Sequence, residues 1–363
     1  MKAMGLFPAV MSGDDMKYKI SSSERAAASA AETETKAMLH LICYDDNQDG
    51  ITNFAIDFFN DVTGMDKLAA HLYDVQSKGS SSGIGPKELG EDLVTLYKNY
   101  VSEFKDFFVK YILFMQKVTS TVKDDPELSE FKFADMKDEA QKDVRASFVK
   151  ACKSKAYIDD SKLTDASINA FLNSVAFVVS KPDREDYIRP LIKNNVTLSA
   201  SDEDLRAIFN EIRKKQTGIK TNSKVEGIEL KYPDEVFHYN RVIRRSDIVL
   251  LAISRIINTN PLEQGIPKPF ASIYSGIAED ERDEIIEKCQ ADLAKQMCNV
   301  NELTPFWSLL ASIVSAIRQN PSADVETIYR LIDPNVLEEC SGFEDALSYQ
   351  YFIAIVKGGL KVG

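Results

Sequence analysis

Apolar and polar positions change their rhythm along the chain: short apolar runs broken by turn residues give way, beyond about residue 125, to stripes at helical spacing. Residues 1–21 are irregular. Ser21-Ser22-Ser23-Glu24 offers a helix start with an acid in the first turn. The alanine-rich ERAAASAAETETKAMLHLICY that follows predicts a helix with Ala31, Met38, Leu41 and Ile42 on its apolar face, ending near DDNQDG. The next stretch, ITNFAIDFFNDVTGMDKLAAHLYDVQSKG, is rich in β-formers and broken near TGMDK, which predicts two or three strands. SSSGIGP reads as a loop. After it, KELGEDLVTLYKNYVSEFKD puts Leu89, Leu93, Leu96, Tyr97, Tyr100 and Phe104 on one helical stripe, and FFVKYILFMQKV has the length and continuous apolarity of a buried strand.

Past residue 125, DDPELSE is a capped loop. DEAQKDVRASFVKACK, TDASINAFLNSVAFVV, SDEDLRAIFNEIRKKQTG, SDIVLLAISRIINTNP, ERDEIIEKCQADLAKQM, TPFWSLLASIVSAIRQNP and ADVETIYRLI all predict helices. Gly218, Pro261 and Pro321 mark helix ends. No fixed-period repeat is present, so the expected organisation is an irregular segment over 1–21, a mixed core over 22–125 and a helical domain over 126–363.

Composition narrows the function classes. The 363 residues, 44% hydrophobic, suffice for a real core, and Trp307 in TPFWSLL is expected inside it. No apolar run reaches about 18 residues and the first residues lack an apolar leader with a small-residue cleavage site, so a cytoplasmic chain without a membrane partner is expected. The five cysteines (43, 152, 289, 298, 340) and three histidines (40, 71, 238) are scattered, which argues against a structural zinc site or a disulfide framework. A net charge of −12 repels nucleic acid and argues against a free-standing DNA binder. It leaves a nuclease open, because acids that hold a cation invert the local field and a partner or oligomer can supply the positive channel.

Three constellations could carry chemistry. In DDNQDG, residues Asp45, Asn47, Asp49 and Gly50 match the opening of a calcium loop, but Ile56 stands where its bidentate glutamate belongs; a polar helix-to-strand turn is the better reading. The basic runs RKK (213–215) and NRVIRR (240–245) are candidate phosphate contacts, with Arg241, Arg244 and Arg245 expected to share a helix face, against the plainer reading of a solvated helix end or contacts to carboxylates. The third is HLYDVQSKG. In a strand, Asp74, Gln76 and Lys78 share one face, opposite Tyr73, Val75 and Ser77. Asp61 lies fifteen positions before Gln76, a separation a hairpin can fold back so that the acid meets the amide and the lysine. Carboxylates with a second side-chain oxygen suit Mg²⁺, which activates water against a phosphodiester, while lysine orients that water or stabilises developing charge.

Asp61, then Gln76-Ser77-Lys78 ending a strand, then an amphipathic helix and a buried strand resemble the αβββαβ core of PD-(D/E)xK restriction-endonuclease-like nucleases, with Gln in place of the motif's acid. NDVTG, YDVQSKG, KELGEDL and YILF ahead of a helical region are similar to bacterial antiphage nucleases: the double-stranded DNA endonuclease domains of CD-NTase-associated effectors and the nuclease partners of HerA-type ATPases. The resemblance covers about residues 22–122. It implies Mg²⁺ or Mn²⁺, with Asp61 as principal ligand, Gln76 at the second ligand position and Lys78 as catalytic lysine. Asp57 rivals Asp61, Glu34 (or Glu32) completes the set from the first helix, and Asp74 is a ligand or a partner of Lys78. Two departures stand out: Gln76 is neutral, and Asn60 replaces the usual proline before the first acid. The expected protein is a metal-dependent double-stranded DNA endonuclease of an antiphage system, active as a homo-oligomer or with a HerA-type ATPase or nucleotide-signal sensor. The alternative is an inactive nuclease-like scaffold or helical adaptor.

Overall fold

The computed structural model describes residues 17–20, 28–42, 50–193, 195–198, 201–220, 222, 224–263, 265–298 and 303–360. Asp45, Asn47 and Asp49 of the calcium-like loop, Cys43 and the Ser21–Glu24 helix start lie outside them. The secondary structure is mixed α/β. It begins with β1 (Tyr18–Lys19), α1 (Ala28–Ile42), β2 (Asn53–Ile56), β3 (Val62–Met65) and β4 (Leu72–Lys78). There follow α2 (Pro86–Asp92), α3 (Val94–Tyr100), β5 (Phe108–Met115), β6 (Glu130–Phe131), α4 (Asp138–Lys153), α5 (Asp165–Ser174) and β7 (Val175–Val179). Next are α6 (Glu185–Leu191), α7 (Asp202–Ile219), β8 (Glu229–Leu230), β9 (Val242–Arg244) and α8 (Arg245–Ile256). The remainder is helical: α9 (Ala271–Gly276), α10 (Arg282–Cys298), α11 (Leu303–Gln319), α12 (Val325–Leu331), α13 (Pro334–Glu339) and α14 (Ala346–Gly359). Among the described residues no helix is long and apolar enough to cross a membrane.

Described residues within 1–41, 47–182 and 215–243 form one compact unit, and those within 42–46, 183–214 and 244–363 a second. The first is organised by a seven-stranded sheet of order β6-β7-β5-β4-β3-β2-β9. β2, β3 and β4 form an antiparallel meander, β4 to β5 and β5 to β7 pair in parallel, and β6 closes one edge antiparallel to β7. A separate antiparallel pair joins β1 to β8. Of the two or three strands expected here three are present, and the turn after β3 is held by Asp66. Its Oδ1 accepts from the N–H groups of Leu68 (3.0 Å) and Ala70 (2.9 Å), which supports Ala69 in the left-handed region at φ 53°.

Two expected helices differ. The stripe over 89–104 faces inward as expected, with Leu89, Leu93, Leu96, Tyr97 and Phe104 fully buried, but the helix is two pieces, α2 and α3, joined at Leu93. In TDASINAFLNSVAFVV only residues 165–174 are helical; VAFVV is strand β7, buried between β5 and β6. A five-residue, largely β-branched apolar run continues a helical stripe on paper, yet it suits a parallel strand covered on both faces. The sheet therefore draws on residues from both sides of position 125.

Both faces of the sheet are covered. On one, α3 sends Thr95 to Gln76 and Asn99 to Asp74. On the other, Gly64, paired with Tyr73, admits α1 so closely that a Cβ there would stand 3.1 Å from Leu41. An aromatic cluster fills the α3 side: Tyr18 stacks on Phe104 at 4.9 Å and meets Phe59 edge-on at 5.4 Å, each buried ring contributing roughly 2–3 kcal/mol. In the helical second unit Trp307 of α11 is 1% exposed, as expected. There Asp292 of α10, buried, accepts a hydrogen bond from Ser348 Oγ of α14 at 2.7 Å.

α2 meets α4 at Gly90, where a Cβ would lie 2.0 Å from Ser147 Oγ and 2.3 Å from the Val144 carbonyl oxygen. Gly90→Ala should therefore destabilise by about 1–3 kcal/mol in urea titrations followed by far-UV circular dichroism. Gly218→Ala, on an exposed turn of α7 with open space at its Cβ, should instead stabilise by about 0.5–1 kcal/mol.

Candidate functional site

The antiparallel registers bring the expected acids together. Ile56 pairs with Val62 and Val62 with Val75, so Asp57 and Asp61 close one hairpin while Asp61 stands across from Gln76. The Asp57 N–H donates to the Asp61 carbonyl at 3.0 Å, and Asp57 turns the chain with φ 50°, a left-handed conformation that Asp tolerates better than most residues. Phe58 and Phe59, buried between the two acids, anchor the loop.

Asp61 Oδ2 accepts three hydrogen bonds: Gln76 Nε2 at 2.8 Å, the Ser77 N–H at 2.8 Å and Ser77 Oγ at 2.9 Å. Burial pushes its pKa up and the Ser77 donors oppose the shift. Gln76 Oε1 accepts from Thr95 Oγ1 at 2.8 Å. Since a carboxylate only accepts, the amide turns its N–H toward Asp61 and its carbonyl toward α3. That orientation departs from the expectation of Gln76 as an oxygen ligand beside Asp61. Lys78 reaches Asp92 of α2, 3.2 Å away, whose pKa burial raises against the pull of Lys78.

Asp74 is neither beside a cation site nor paired with Lys78. It is fully buried and its Oδ2 accepts from Asn99 Nδ2 at 2.7 Å and Asn60 Nδ2 at 3.3 Å. Asn60 thus serves as a donor. Burial pushes the Asp74 pKa up to about 7 despite those bonds. Neighbouring Lys98, which donates to Tyr18 Oη at 3.1 Å, is pulled down to about 8 by burial, with Asp74 opposing.

Glu34 projects from α1 and is 2% exposed, and burial pushes its pKa up to about 7. The ammonium of Lys220, just past α7, contacts the Glu34 carboxylate and lies 3.5 Å from Asp57 Oδ2. Burial alone would lower the Lys220 pKa, but Glu34 and Asp57 outweigh it and hold the ammonium charged. Glu32 faces Lys36 at 3.5 Å instead. Arg241, Arg244 and Arg245 do not share a helix face: Arg241 precedes β9, Arg244 ends it and Arg245 begins α8. A strand here separates the three because Val242 and Ile243 extend the sheet edge beside β2. Arg241 is buried and donates to the Asp57 carbonyl at 3.2 Å, a role in holding the loop.

A cleft of about 580 Å³ opens over these groups, lined by Asp57, Asp61, Gln76, Lys78, Asp92 and Thr95. Lys98, Lys150 and Lys155 complete its wall. Ser147, Lys150, Ala151 and Ser154, spaced as one helical face, turn α4 toward the cleft while Val144, Phe148 and Cys152 turn inward. Sequence reasoning missed Thr95, Asp92, Lys98, Lys150, Lys155 and Lys220. The polar face of α4, opposite Val144, Phe148 and Cys152, was legible in the helical stripe; Lys220, in TGIKTNSK, carried no signal.

For a divalent cation the oxygen donors at hand are Glu34, Asp57 and Asp61. As arranged they do not fit one: Lys220 sits against two of them, Asp61 Oδ2 is saturated, and Gln76 turns its carbonyl away. Among the described residues no three His, Cys, Asp or Glu side chains are grouped to hold a metal ion. No protein-family model, curated protein or solved structure matches the chain.

The buried Asp74 sets a pH dependence. Its folded-state pKa of about 7 exceeds the ordinary 3.8, so the native state holds the proton more tightly, and the associated stability is present below about pH 4 and lost as pH rises through about 7. Asp74→Asn should flatten the fall in urea-measured stability across that window by up to about 4 kcal/mol.

Proposed function

We propose that the mixed-sheet unit is a DNA endonuclease module of the PD-(D/E)xK kind, serving a cytoplasmic antiphage system, with Mg²⁺ or Mn²⁺ as the cation the resemblance implies. The observation that carries this reading is the meeting of Asp61 with Gln76 and Ser77 across the β3–β4 hairpin, in a cleft that also holds Lys78. The order α1, β2, β3, β4, α2–α3, β5 supports it, being that of an αβββαβ core.

The chain's residues suit the chemistry of a phosphodiester. Lys150 on α4 and Lys155 just past its end, with Lys98 on α3, offer cationic contacts to backbone phosphates in an otherwise acidic chain. Lys78, held in the cleft by Asp92, is placed to stabilise charge developing on the phosphoryl oxygens. Asp61 is fixed by three donors and offers its remaining oxygen to the reacting centre. Gln76, neutral where the family has an acid, lessens repulsion of an approaching phosphate. The helical second unit we assign to self-assembly or to docking an ATPase or nucleotide-signal sensor.

A second reading, a nuclease-like module that binds DNA without cutting it, is favoured by the orientation of Gln76 and the position of Lys220. Cleavage assays on linear and supercoiled double-stranded DNA with Mg²⁺ or Mn²⁺ separate the two. Relative to whichever parent chain cuts, wild type or Lys220→Met, Lys78→Ala and Asp61→Asn should each lower the cleavage rate by about a hundredfold or more while DNA binding persists. Folded variants cutting as fast as that parent, or no cleavage by either parent, would sink the catalytic assignment. Lys150→Ala with Lys155→Ala should weaken DNA binding and reduce its log–log salt slope by about 2.

A further inference from the structure

Lys220 is the unexpected member of the site. It enters from the end of α7 and lies between carboxylates contributed by α1 and by the β2–β3 loop, both far from it in the chain. Its side chain is 12% exposed, Glu34 2% and Asp57 13%, so the three charges are shielded from water together. Buried carboxylates are tolerated only with a compensating partner, and a hard cation or an ammonium serves equally as that partner. One turn before Lys220, Gln216 accepts a hydrogen bond from Thr35 Oγ1 at 2.7 Å, both residues being buried. Thr35 adjoins Glu34 on α1, so the contact that docks α7 also delivers the ammonium to the acid.

We propose that Lys220 is the resident cation of the Glu34–Asp57 pocket, and that a divalent ion enters it only when Lys220 withdraws. The site is then a latent one: Glu34 and Asp57 meet on one ammonium, and the cation position is filled from within the chain. This rests on the nuclease reading only for why a divalent ion would matter; the exclusion itself is a property of the pocket. Any partner or conformational change that draws the end of α7 from α1 would free the Glu34 and Asp57 carboxylates as oxygen donors.

The test is Mn²⁺ binding to the full chain at neutral pH, read by electron paramagnetic resonance, for wild type, Lys220→Arg, Lys220→Met and Lys220→Met with Glu34→Gln. Lys220→Met should gain one Mn²⁺ site about a hundredfold or more tighter than any in wild type or Lys220→Arg, and Glu34→Gln should remove it. Lys220→Gln provides the same loss of charge if the methionine variant does not fold by circular dichroism. The proposal is overturned if wild type binds one Mn²⁺ as tightly as the neutral variants, or if a folded neutral variant gains none. Gain of the site without DNA cleavage in any variant would remove the nuclease reading and leave the role of Lys220 standing.

Discussion

The register of β3 against β4 is the constraint on which the rest of the site depends. With Val62 opposite Val75, Asp61 faces Gln76 and receives the Ser77 donors, while Thr63 faces Asp74. Because side chains alternate along a strand, a slip of one residue would turn Gln76 from Asp61 and send Asp74 out of its amide cradle. Two features hold the register: the Asp66-pinned turn at one end and the buried Phe58–Phe59 loop at the other. Burial of both strand faces between α1 and α3 makes the alternatives costly.

Three desolvated acids in this unit show three answers to the same problem. Asp61 is met by a backbone N–H, a hydroxyl and an amide; Asp74 by two asparagine amides; Glu34 by the Lys220 ammonium. Desolvation dominates each, which is why all three pKa values are raised despite their donors. Only the last answer brings a full positive charge into the pocket. The field at Glu34 and Asp57 is therefore set less by the chain's net charge of −12 than by the ammonium that stands beside them.

The helical parts were legible where periodicity and caps agreed. DEAQKDVRASFVKACK is α4 over its whole length, and Pro321 follows the end of α11 as expected. Periodicity failed at VAFVV, because a short apolar run satisfies a helical stripe and a doubly covered strand alike and only its neighbours β5 and β6 decide. It failed again at NRVIRR, where helical spacing of the arginines was cut by a sheet-edge strand.

The sequence by itself determined a strand-rich stretch over 51–79, the fold-back of Asp61 onto Gln76 and the inward stripe over 89–104, because each follows from local periodicity and a short hairpin separation. The tertiary structure alone decided which way the Gln76 amide turns, that Asp74 is a buried structural acid and that Lys78 meets Asp92. It alone brought Lys220 to Glu34 and Asp57. Those outcomes depend on which groups share a desolvated space, and that is set by long-range packing, which leaves no periodic trace along the chain.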